Sequence, residues 1–528
     1  PKTLLFATNV LWKTTDGGHN WQIISPDLSR PRPEVPESVG DFKTPEMETM
    51  ARRGVIYAVG PSPLLKEIIW AGTDDGQLHI TNDGGASWIN VTEGELNAWD
   101  KVSQVDASHF DPSVAYVAIN AIRKDDMRPH IFRVRRDLVG AIWEPIVNGL
   151  PENGPVNVVR EDPVQPGLLF AGTEREVYFS VDDGANWQSL RNNMPATSIR
   201  DLVIHENDLV VGTHGRSIWI MDDISPLREM AQVIAEGKTY LFDPAATYRV
   251  RWNMFSDTPL PPEEPAGENP PDGALLDYYL PSDADEVKLE IISPIGWTVR
   301  AFSSEDEPEN IDTTSLPHPT YWIRPQQEVS AEAGHHRLVW DLRWTPPKDT
   351  RRQFSIAAVY KRTPSGPQGP FVHPGTYTGR LTVDGQVQEK SIEVKMDPRV
   401  EISEEDLQLQ TNYSMACYAG FNEAGILKKN IEDILKGDIS SQIRKKLEAV
   451  IGNRKPGNPD TMYGSIYDTS ASEETIMGLQ NKFLFMLNLL QQADARPTSQ
   501  ALEGVQQLRG KLKELEQRYL YLLIDDDK

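Results

Sequence analysis

Three acidic residues occupy positions from which a pair of carboxylates could act on a substrate. Asp75 lies in the phrase GTDDG, Asp126 in KDDMRP and Glu174 in GTERE, each in a loop between strand-like stretches. Hydrolysis of a glycosidic bond needs two carboxylates about 5–10 Å apart across a cleft. Asp75, Asp126 and Glu174 are therefore candidate catalytic residues. The alternative is that they are ordinary loop residues, which a chain with a net charge of −25 is expected to carry.

Other catalytic and metal-binding patterns are missing from the sequence. A sialidase would need an arginine triad with a Tyr/Glu pair, which cannot be assembled here. No His-Glu-x-x-His, Gly-x-Ser-x-Gly or Gly-rich phosphate-binding motif occurs. His335 and His336 precede a strand, so their side chains point to opposite faces and do not share a metal. The single cysteine, Cys417, excludes an internal disulfide and a cysteine-based zinc site. We predict no metal and no cofactor.

The composition argues against several classes of partner. A net charge of −25 disfavours nucleic acid and anionic lipid, both of which are bound through Lys and Arg. No run of 18 or more apolar residues is present, so no transmembrane segment is predicted. At 528 residues the chain is long enough for roughly two to four domains. It opens on PKTLLFATNV, without an initiator methionine or a basic leader, and we expect it to start inside a longer protein.

One phrase recurs three times in the first half of the chain. It reads KTTDGGHNW at 13–21, ITNDGGASW at 80–88 and FSVDDGANW at 179–187. Asp-Gly between two alternating stretches is a strong hairpin signal, because glycine adopts the positive φ that the turn needs. The hydroxyl and the aspartate can bond within the turn, and the tryptophan can fold back over its hairpin. We assign a structural role to the shared residues, which are Thr14, Asp16, Gly18, Trp21, Thr81, Asp83, Gly85, Trp88, Ser180, Asp182, Gly184 and Trp187.

The spacing of these phrases predicts about five β-propeller blades in residues 1–228. A four-stranded blade takes about 40–50 residues, whereas Asp83 and Asp182 are 99 residues apart. The interval should therefore hold two blades, and residues 114–146 supply the second one with Trp143 and a degenerate turn. A fifth copy at 208–223 keeps the Gly-Thr pair and loses the turn.

The repeated phrase resembles the Asp-box, or BNR repeat, of sialidases, xyloglucanases and sortilin-type propellers. The stretches AGTDDGQLHITNDGGASW, LVVGTHGRSIWIMDDISPL and NPPDGALLDYYL are similar to a family of large bacterial proteins often labelled glycosyl hydrolases. The ten-bladed propeller of that family resembles the propeller of sortilin. The resemblance covers most of residues 1–400. It implies that this chain is the C-terminal half of such a protein and that the remaining blades lie elsewhere.

Three further regions are expected after the blades. Residues 229–273, dense in Pro and Glu towards their end, are predicted to be a linker. Residues 274–400 hold short alternating stretches between Gly and Pro, which predicts an immunoglobulin- or fibronectin-like β-sandwich. Residues 401–528 are predicted to be a helical domain, opened by a capping-box-like Ser403 and Asp406.

The last predicted helix carries a narrow apolar seam. Its members recur at heptad-like spacing and are Leu502, Val505, Leu508, Leu512, Leu515, Tyr519 and Leu522. Such a seam fits packing inside a helical bundle of the same chain. An intermolecular coiled coil is the alternative.

These features favour a binding or scaffold protein over an enzyme. We expect an exported or cell-surface β-propeller protein that binds a protein, peptide or glycan, with a location that is extracellular, periplasmic or at the cell surface. Its partner would be another protein or its own N-terminal propeller half, and no nucleic acid is expected. The alternative is a glycoside hydrolase that acts on a polysaccharide with paired carboxylates in the propeller cleft.

Overall fold

The computed structural model describes residues 2–31, 35, 37–48, 54–92, 96–137, 140–252, 260–261, 263–264, 267–309, 319–347, 359–364, 366–452 and 474–524. Within these ranges the chain is mainly β, with many small, mostly antiparallel sheets and six α-helices. It divides into two compact units, Pro1–Glu236 and Gly237–Lys528. None of the described helices is long and apolar enough to cross a membrane.

Five antiparallel sheets follow one another in the first unit. The first sheet holds β1 (Leu4–Ala7), β2 (Leu11–Thr14) and β3 (Gln22–Ile23), and the second holds β4 (Ile56–Pro61), β5 (Ile69–Thr73), β6 (Leu78–Thr81) and β7 (Ile89–Asn90). The third sheet holds β8 (Lys101–Ala107), β9 (Val114–Asn120), β10 (Ile131–Arg136) and β11 (Ala141–Pro145). The fourth holds β12 (Val156–Glu161), β13 (Leu169–Thr173), β14 (Val177–Ser180) and β15 (Gln188–Ser189), and the fifth holds β16 (Ile199–His205), β17 (Asp208–Thr213) and β18 (Ile218–Met221).

Short helices accompany these sheets. A 3-10 segment at Glu37–Phe42 and the helix α1 (Pro45–Glu48) lie between the first and second sheets. A second 3-10 turn covers Ile122–Lys124, and α2 (Ser225–Glu236) ends the unit. The helix α2 buries Leu227, Met230 and Val233 on one side, which is the spacing of an amphipathic helix.

Neighbouring sheets are held together by apolar side chains on facing strands. We call β4, β8, β12 and β16 the inner strands; each lies against the sheet before it. Trp70 and Leu78 of the second sheet share a fully buried cluster with Val102 of the third. Burial of one such side chain is worth about 1.5–3 kcal/mol. The sheets therefore stabilise one another, as expected for a stacked repeat.

The three Asp-Gly turns have the same internal hydrogen bonds. In the second sheet the Thr81 hydroxyl donates to Asp83 at 2.8 Å and accepts the Gly85 N–H at 2.9 Å. Asp83 also accepts the Ser87 N–H at 2.9 Å. The turns at 14–20 and 180–186 repeat these contacts with Thr14, Asp16, Gly18 and with Ser180, Asp182, Gly184. Gly84 and Gly85 both have positive φ, so glycine is needed where the chain reverses.

The tryptophans of these turns differ from the sequence expectation. Instead of closing over its own hairpin, Trp88 donates its indole N–H to the Ile24 carbonyl of the preceding sheet at 2.7 Å. Trp187 does the same with Ile146 at 2.8 Å. Only Trp21 bonds within its own turn, to Gly18 at 3.0 Å. The large ring finds more apolar surface between two sheets than above one hairpin, which explains the difference.

The turn carboxylates make a testable contribution to acid stability. Hydrogen bonds from the Ser87 side chain and backbone lower the pKa of Asp83 from 3.8 to about 2. Because the folded pKa lies below the unfolded one, the stabilisation is present above pH ~4 and is lost as the pH falls towards 2. We expect carboxyl NMR titration to place the midpoint of Asp83 near 2. Ser87→Ala should raise that midpoint and leave the midpoint of Asp16 near 2. A midpoint near 4 in the unsubstituted chain would contradict this prediction.

Two sheets form the β part of the second unit. One holds β19 (Tyr240–Leu241), β21 (Ala274–Leu280) and β24 (Gly334–Trp340), and the other holds β20 (Thr247–Arg249), β22 (Val287–Ile292), β23 (Thr298–Ser303), β25 (Gly375–Val383) and β26 (Gln386–Met396). A 3-10 turn lies at Thr320–Trp322. Side chains of both sheets, such as Leu276 and Leu289, belong to one buried cluster.

The range 229–273, predicted to be a linker, contains regular structure. It includes the end of α2 and the strands β19 and β20, and β20 pairs in parallel with β26. These strands are short and carry no clear alternation, so their pairing depends on distant strands that local sequence does not reveal. Residues 253–259, 262 and 265–266 of this range lie outside the described residues.

The described residues of the second unit also contain four helices: α3 (Glu404–Leu435), α4 (Ser441–Ile451), α5 (Ile476–Leu490) and α6 (Ser499–Ile524). The Ser403 hydroxyl accepts the Asp406 N–H at 3.1 Å and caps α3. On α6 the seam residues Val505, Leu512 and Leu515 are buried against the other helices of the same chain. Residues 453–473 and 525–528 of the predicted helical domain lie outside the described part.

A buried polar cluster joins β20 to the segment after α5. The carboxylate of Asp494 accepts hydrogen bonds from Arg249 at 2.6 Å and from Arg251 at 2.8 Å. The side chains of Asp494 and Arg249 are each only 2% exposed. Phe371 lies beside both guanidinium groups, at 5.7 and 4.7 Å from its ring centre. Removal of one partner of a buried ion pair leaves an uncompensated charge.

We expect Asp494→Ala to lower the free energy of unfolding by about 3–5 kcal/mol, because the buried Arg249 and the partly buried Arg251 lose their shared carboxylate. Urea denaturation followed by circular dichroism measures this loss. The matched control is Asp433→Ala, which removes a pair with Lys436 on the solvent-exposed surface of α3. The control should leave the transition midpoint unchanged. Equal midpoints for both variants would mean that the cluster does not stabilise this unit.

Candidate functional site

The loops between the second and third strands of four consecutive sheets lie on the same side of the first unit. They are residues 74–77, 121–130, 174–176 and 214–217. Side chains of adjacent sheets meet there, since Arg123 reaches Asp74 at 3.3 Å and Arg200 reaches Glu174 at 3.3 Å. We call these loops and the adjoining starts of the inner strands the rim. The candidates Asp75, Asp126 and Glu174 all lie on it.

Asp75 is bound inside the rim and is only 7% exposed. Its carboxylate accepts the Arg30 N–H at 2.8 Å and the Thr73 hydroxyl. The guanidinium of Arg30 in turn bonds to the carbonyls of Asp75 at 2.6 Å and Leu96 at 2.7 Å. Burial raises the pKa of Asp75. Asp75 therefore holds the loop that follows the first sheet in place, and its burial leaves a substrate little access to its carboxylate.

Asp126 is paired with neighbours in its own loop. Arg128 donates from its backbone at 3.0 Å and from its guanidinium at 2.9 and 2.7 Å, and His130 Nε2 lies 3.1 Å away. The hydrogen bonds from Arg128 hold the pKa of Asp126 well below its usual range. An acid so strongly ionised cannot donate a proton near neutral pH.

Glu174 belongs to a chain of hydrogen bonds that crosses three sheets. Asn120 donates to Asn157 at 2.8 Å, and Asn157 donates to Glu174 at 3.0 Å and to the Ile199 carbonyl at 3.0 Å. Burial alone would raise the pKa of Glu174, but the nearby Ser198 hydroxyl, the hydrogen bond from Asn157 and the charge of Arg200 outweigh it and lower the pKa. Glu174 is therefore an anionic acceptor within a fixed network.

Each inner strand has a β-bulge at the rim. The register shifts at Ile56/Ala58, Val102/Gln104, Val156/Val158 and Ile199/Asp201, in four successive sheets. The inserted residues are Tyr57, Ser103, Asn157 and Arg200. Ser103 and Asn157 use this position to bond a carbonyl of the next sheet. Bulges redirect side chains and are common beside functional sites.

A second network lies deeper along the inner strands. Arg160 donates to Asp106 at 3.1 Å, to Asp201 at 2.9 Å and to the Leu202 carbonyl at 2.9 Å, so it ties three sheets together. Burial raises the pKa of Asp106 and outweighs the opposing charge of Arg160. The backbone N–H of Glu161 donates a hydrogen bond to the other carboxylate oxygen of Asp106 at 2.8 Å. Both oxygens of the Asp106 carboxylate therefore accept hydrogen bonds from the neighbouring sheet, which indicates a structural role.

Sequence reasoning missed the network residues of the rim, which are Asn120, Asn157 and Arg200. The available signal was a polar residue inside an otherwise apolar strand, as with Asn157 in VNVV. The three carboxylates that the sequence did indicate accept hydrogen bonds from different partners. No hydrogen bond among the described residues brings two of Asp75, Asp126 and Glu174 together. Nor does the described part of the chain hold three or more His, Cys, Asp or Glu placed to bind a metal ion.

The rim is polar and carries exposed cations. Arg175 and Arg216 are exposed and lie in the loops of the fourth and fifth sheets. Lys101 lies over the ring of Tyr57, with its ammonium 4.4 Å from the ring centre. Donors, acceptors and an aromatic ring at one side of the unit can hold a polar ligand by hydrogen bonds and charge.

No protein-family model matches the chain, and no curated protein matches it. Among solved structures, YCF48 from Cyanidioschyzon merolae matches at 10% identity with a TM-score of 0.30, over 43% of this chain and 67% of that one. A GH74 xyloglucanase from Xanthomonas campestris matches at 15% identity with a TM-score of 0.31, over 73% of this chain and 56% of that one. YCF48 bound to D1 peptide matches at 13% identity with a TM-score of 0.22, over 45% of this chain and 80% of that one.

These neighbours are β-propeller proteins. The chain spans little more than half of the xyloglucanase it matches. At such low identity and TM-scores, the matches carry no argument about the chemistry of this chain.

We expect Asn157→Ala to lower the free energy of unfolding by about 1–3 kcal/mol, because the buried Asn120 side chain and the Ile199 carbonyl each lose a hydrogen bond. The pKa of Glu174 should rise at the same time, since one of its donors is lost. Thermal unfolding and carboxyl NMR titration measure the two effects. Asn148→Ala removes an exposed amide pair with Asn186 and is the matched control, which should change neither quantity. A destabilised Asn157→Ala with an unchanged Glu174 pKa would contradict the network.

Proposed function

We propose that the chain is a non-catalytic, exported or cell-surface binding protein that holds a protein, peptide or glycan on the rim. The observation that carries this proposal is the state of the candidate carboxylates. Asp75 is buried under a loop, while Asp126 and Glu174 are ionised and paired. A glycosidase needs one carboxyl group with a raised pKa facing a second across the scissile bond. The pKa of Asp75 is raised, but Asp75 is buried, and the described hydrogen bonds join it to Arg30 and Thr73 and not to Asp126 or Glu174.

The proposal includes the architecture around the rim. Residues 1–228 would be about five Asp-box blades of a larger, ten-bladed β-propeller. Residues 274–400 would form an immunoglobulin- or fibronectin-like sandwich and residues 401–528 a helical bundle, with 229–273 between them and the blades. Support comes from the repeated turn contacts, the shared apolar core of two sheets and the buried seam of α6. The sandwich and helices would serve as docking modules in a larger assembly.

The charges of the rim favour a polar or acidic ligand surface. Arg175 and Arg216 are exposed cations in a protein whose net charge is −25. Asn157 and Glu174 hold their neighbours in place, so the rim is organised before a ligand arrives. Preorganised groups bind with a smaller loss of conformational entropy.

We expect the full chain to bind members of a random peptide array and to lose at least about tenfold in affinity when Arg175 and Arg216 are both changed to Glu, because the local charge is reversed. Fluorescence anisotropy with the selected peptides measures the loss. Lys66→Glu is the matched control, since Lys66 is 92% exposed in the loop after β4, at the other end of the strands. Equal losses for the control would show that overall charge, and not the rim, governs binding.

The same preparation tests the rival hydrolase function on a polysaccharide panel. We expect no turnover by the full chain or by Asp75→Ala, Asp126→Ala and Glu174→Ala. Turnover that one of these substitutions lowers by about 10³-fold would overturn the binding proposal, since loss of a catalytic group costs on that order.

A further inference from the structure

A groove lies between the helices α3 and α6 of the second unit. Its volume is about 410 Å³, and eight described residues line it. On the α3 side these include Tyr413 and Ala416, and on the α6 side Val505, Gly510 and Lys513. None of the lining residues belongs to the rim, so the groove is a separate candidate site.

The groove combines an apolar surface with a hydroxyl group. Val505 is buried in the helical core, and the half-buried side chains of Tyr413 and Ala416 pack against the same core. The Tyr413 hydroxyl accepts the side-chain amide of Gln506 at 2.8 Å. Because this contact uses the Tyr413 oxygen as an acceptor, its O–H proton stays available to a ligand in the groove.

Gly510 keeps the groove open, although the packing of the described chain does not require a glycine there. It lies exposed in the middle of α6, and only proline is a poorer helix former. A Cβ placed on Gly510 would have no described atom within 4 Å outside its own helix. By contrast, a Cβ on Gly420 of α3 would lie 2.5 Å from the Phe483 ring, so packing explains that glycine. Since Gly510 lines the groove, a longer side chain at this position would fill it.

The groove also carries a positive charge that is not neutralised by the described residues. Arg509 lines the groove and donates to both carboxylate oxygens of Glu423, at 2.7 and 3.2 Å. Lys513 lies one turn further along α6, is exposed and has no ion pair within the described part of the chain. Like charges four residues apart destabilise a helix. A bound anion would relieve this repulsion, and a free cation is notable in a chain whose net charge is −25.

The size of the groove favours a small molecule over a protein partner. Its volume lies within the range of about 300–1,000 Å³ that is typical of sites for small organic ligands. A stable protein–protein interface uses about 20–30 residues on each side. The eight residues that line the groove are too few for such an interface.

We propose that this groove binds a small organic carboxylate with an apolar body, such as an aryl or short alkyl acid. The carboxylate pairs with Lys513, and the apolar body lies on Val505 and Ala416 beside the Tyr413 ring. Such a site distinguishes the acid from a neutral analogue of the same shape, because only the acid makes a charge-assisted hydrogen bond. The inference concerns the helices alone and depends neither on the ligand of the rim nor on the number of blades.

Fluorine NMR on the full chain tests the inference with para-fluorophenylacetate and ω-fluorohexanoate, each compared with its neutral amide. We expect saturable binding of the acids and at least about tenfold weaker binding of the amides, which lack the charge. Gly510→Leu should weaken binding of the acids by at least about tenfold because it fills the groove, and Lys513→Gln should do so because it removes the cation. Leucine favours a helix more than glycine does, so Gly510→Leu should also raise Tm, which separates the loss of binding from unfolding.

Two matched controls make the same changes outside the groove. Gln507→Leu places a leucine on the exposed surface of α6, and Lys446→Gln removes a charge from the exposed surface of α4. Both should leave the affinity for the acids unchanged. The inference is overturned if neither acid binds saturably, if acids and amides bind equally, or if the groove variants lose no more affinity than the controls. A dimeric mass that Gly510→Leu abolishes would also overturn it, since a second copy of the chain would then occupy the groove.

Discussion

The first unit depends on one constraint, which is that each sheet must bury its faces against the next. A single small sheet of three or four short strands has too little apolar surface to be stable alone. The inner strands solve this by lying across the preceding sheet, where Trp70 and Val102 are fully buried. The turn tryptophans add a hydrogen bond across the same boundary. Packing, turn chemistry and polar contacts therefore all act at the junction between sheets.

The same constraint explains why the polar residues of the rim are arranged as they are. A buried side chain such as Asn157 must satisfy its hydrogen bonds, and the nearest partners belong to the neighbouring sheets. The bulge that places Asn157 at the junction recurs in four inner strands. Packing of the sheets thus also places ordered hydrogen-bond donors and acceptors at the rim. The candidate carboxylates of the rim already accept hydrogen bonds from neighbouring residues, which is consistent with the proposed binding role.

The sequence predicts local structure well where a few adjacent residues determine it. The Asp83 turn and the cap at Ser403 depend on neighbours a few residues away, and the seam of α6 depends on apolar spacing within one helix. Contacts between distant segments could not be foreseen. The strand β20 has no local signature, and the acceptor of the Trp88 indole lies 64 residues earlier. For the site, the three candidate carboxylates lie in loops. Sequence did not indicate the distant partners Arg30 of Asp75 and Arg200 of Glu174, whereas the partners of Asp126 lie in its own loop.

The hydrogen bond between Arg249 and Asp494 also limits when the second unit can fold during synthesis of the chain. The two residues are separated by 245 positions. A ribosome adds about 5–20 residues per second, so the carboxylate emerges roughly 12–50 s after the arginine it must neutralise. During that interval β20 cannot settle in its final place, because an unpaired guanidinium stays hydrated and does not enter an apolar core. This contact therefore forms only after the segment that follows α5 has been synthesised. The sheets of the first unit, whose contacts join neighbours, can assemble one after another as they leave the exit tunnel.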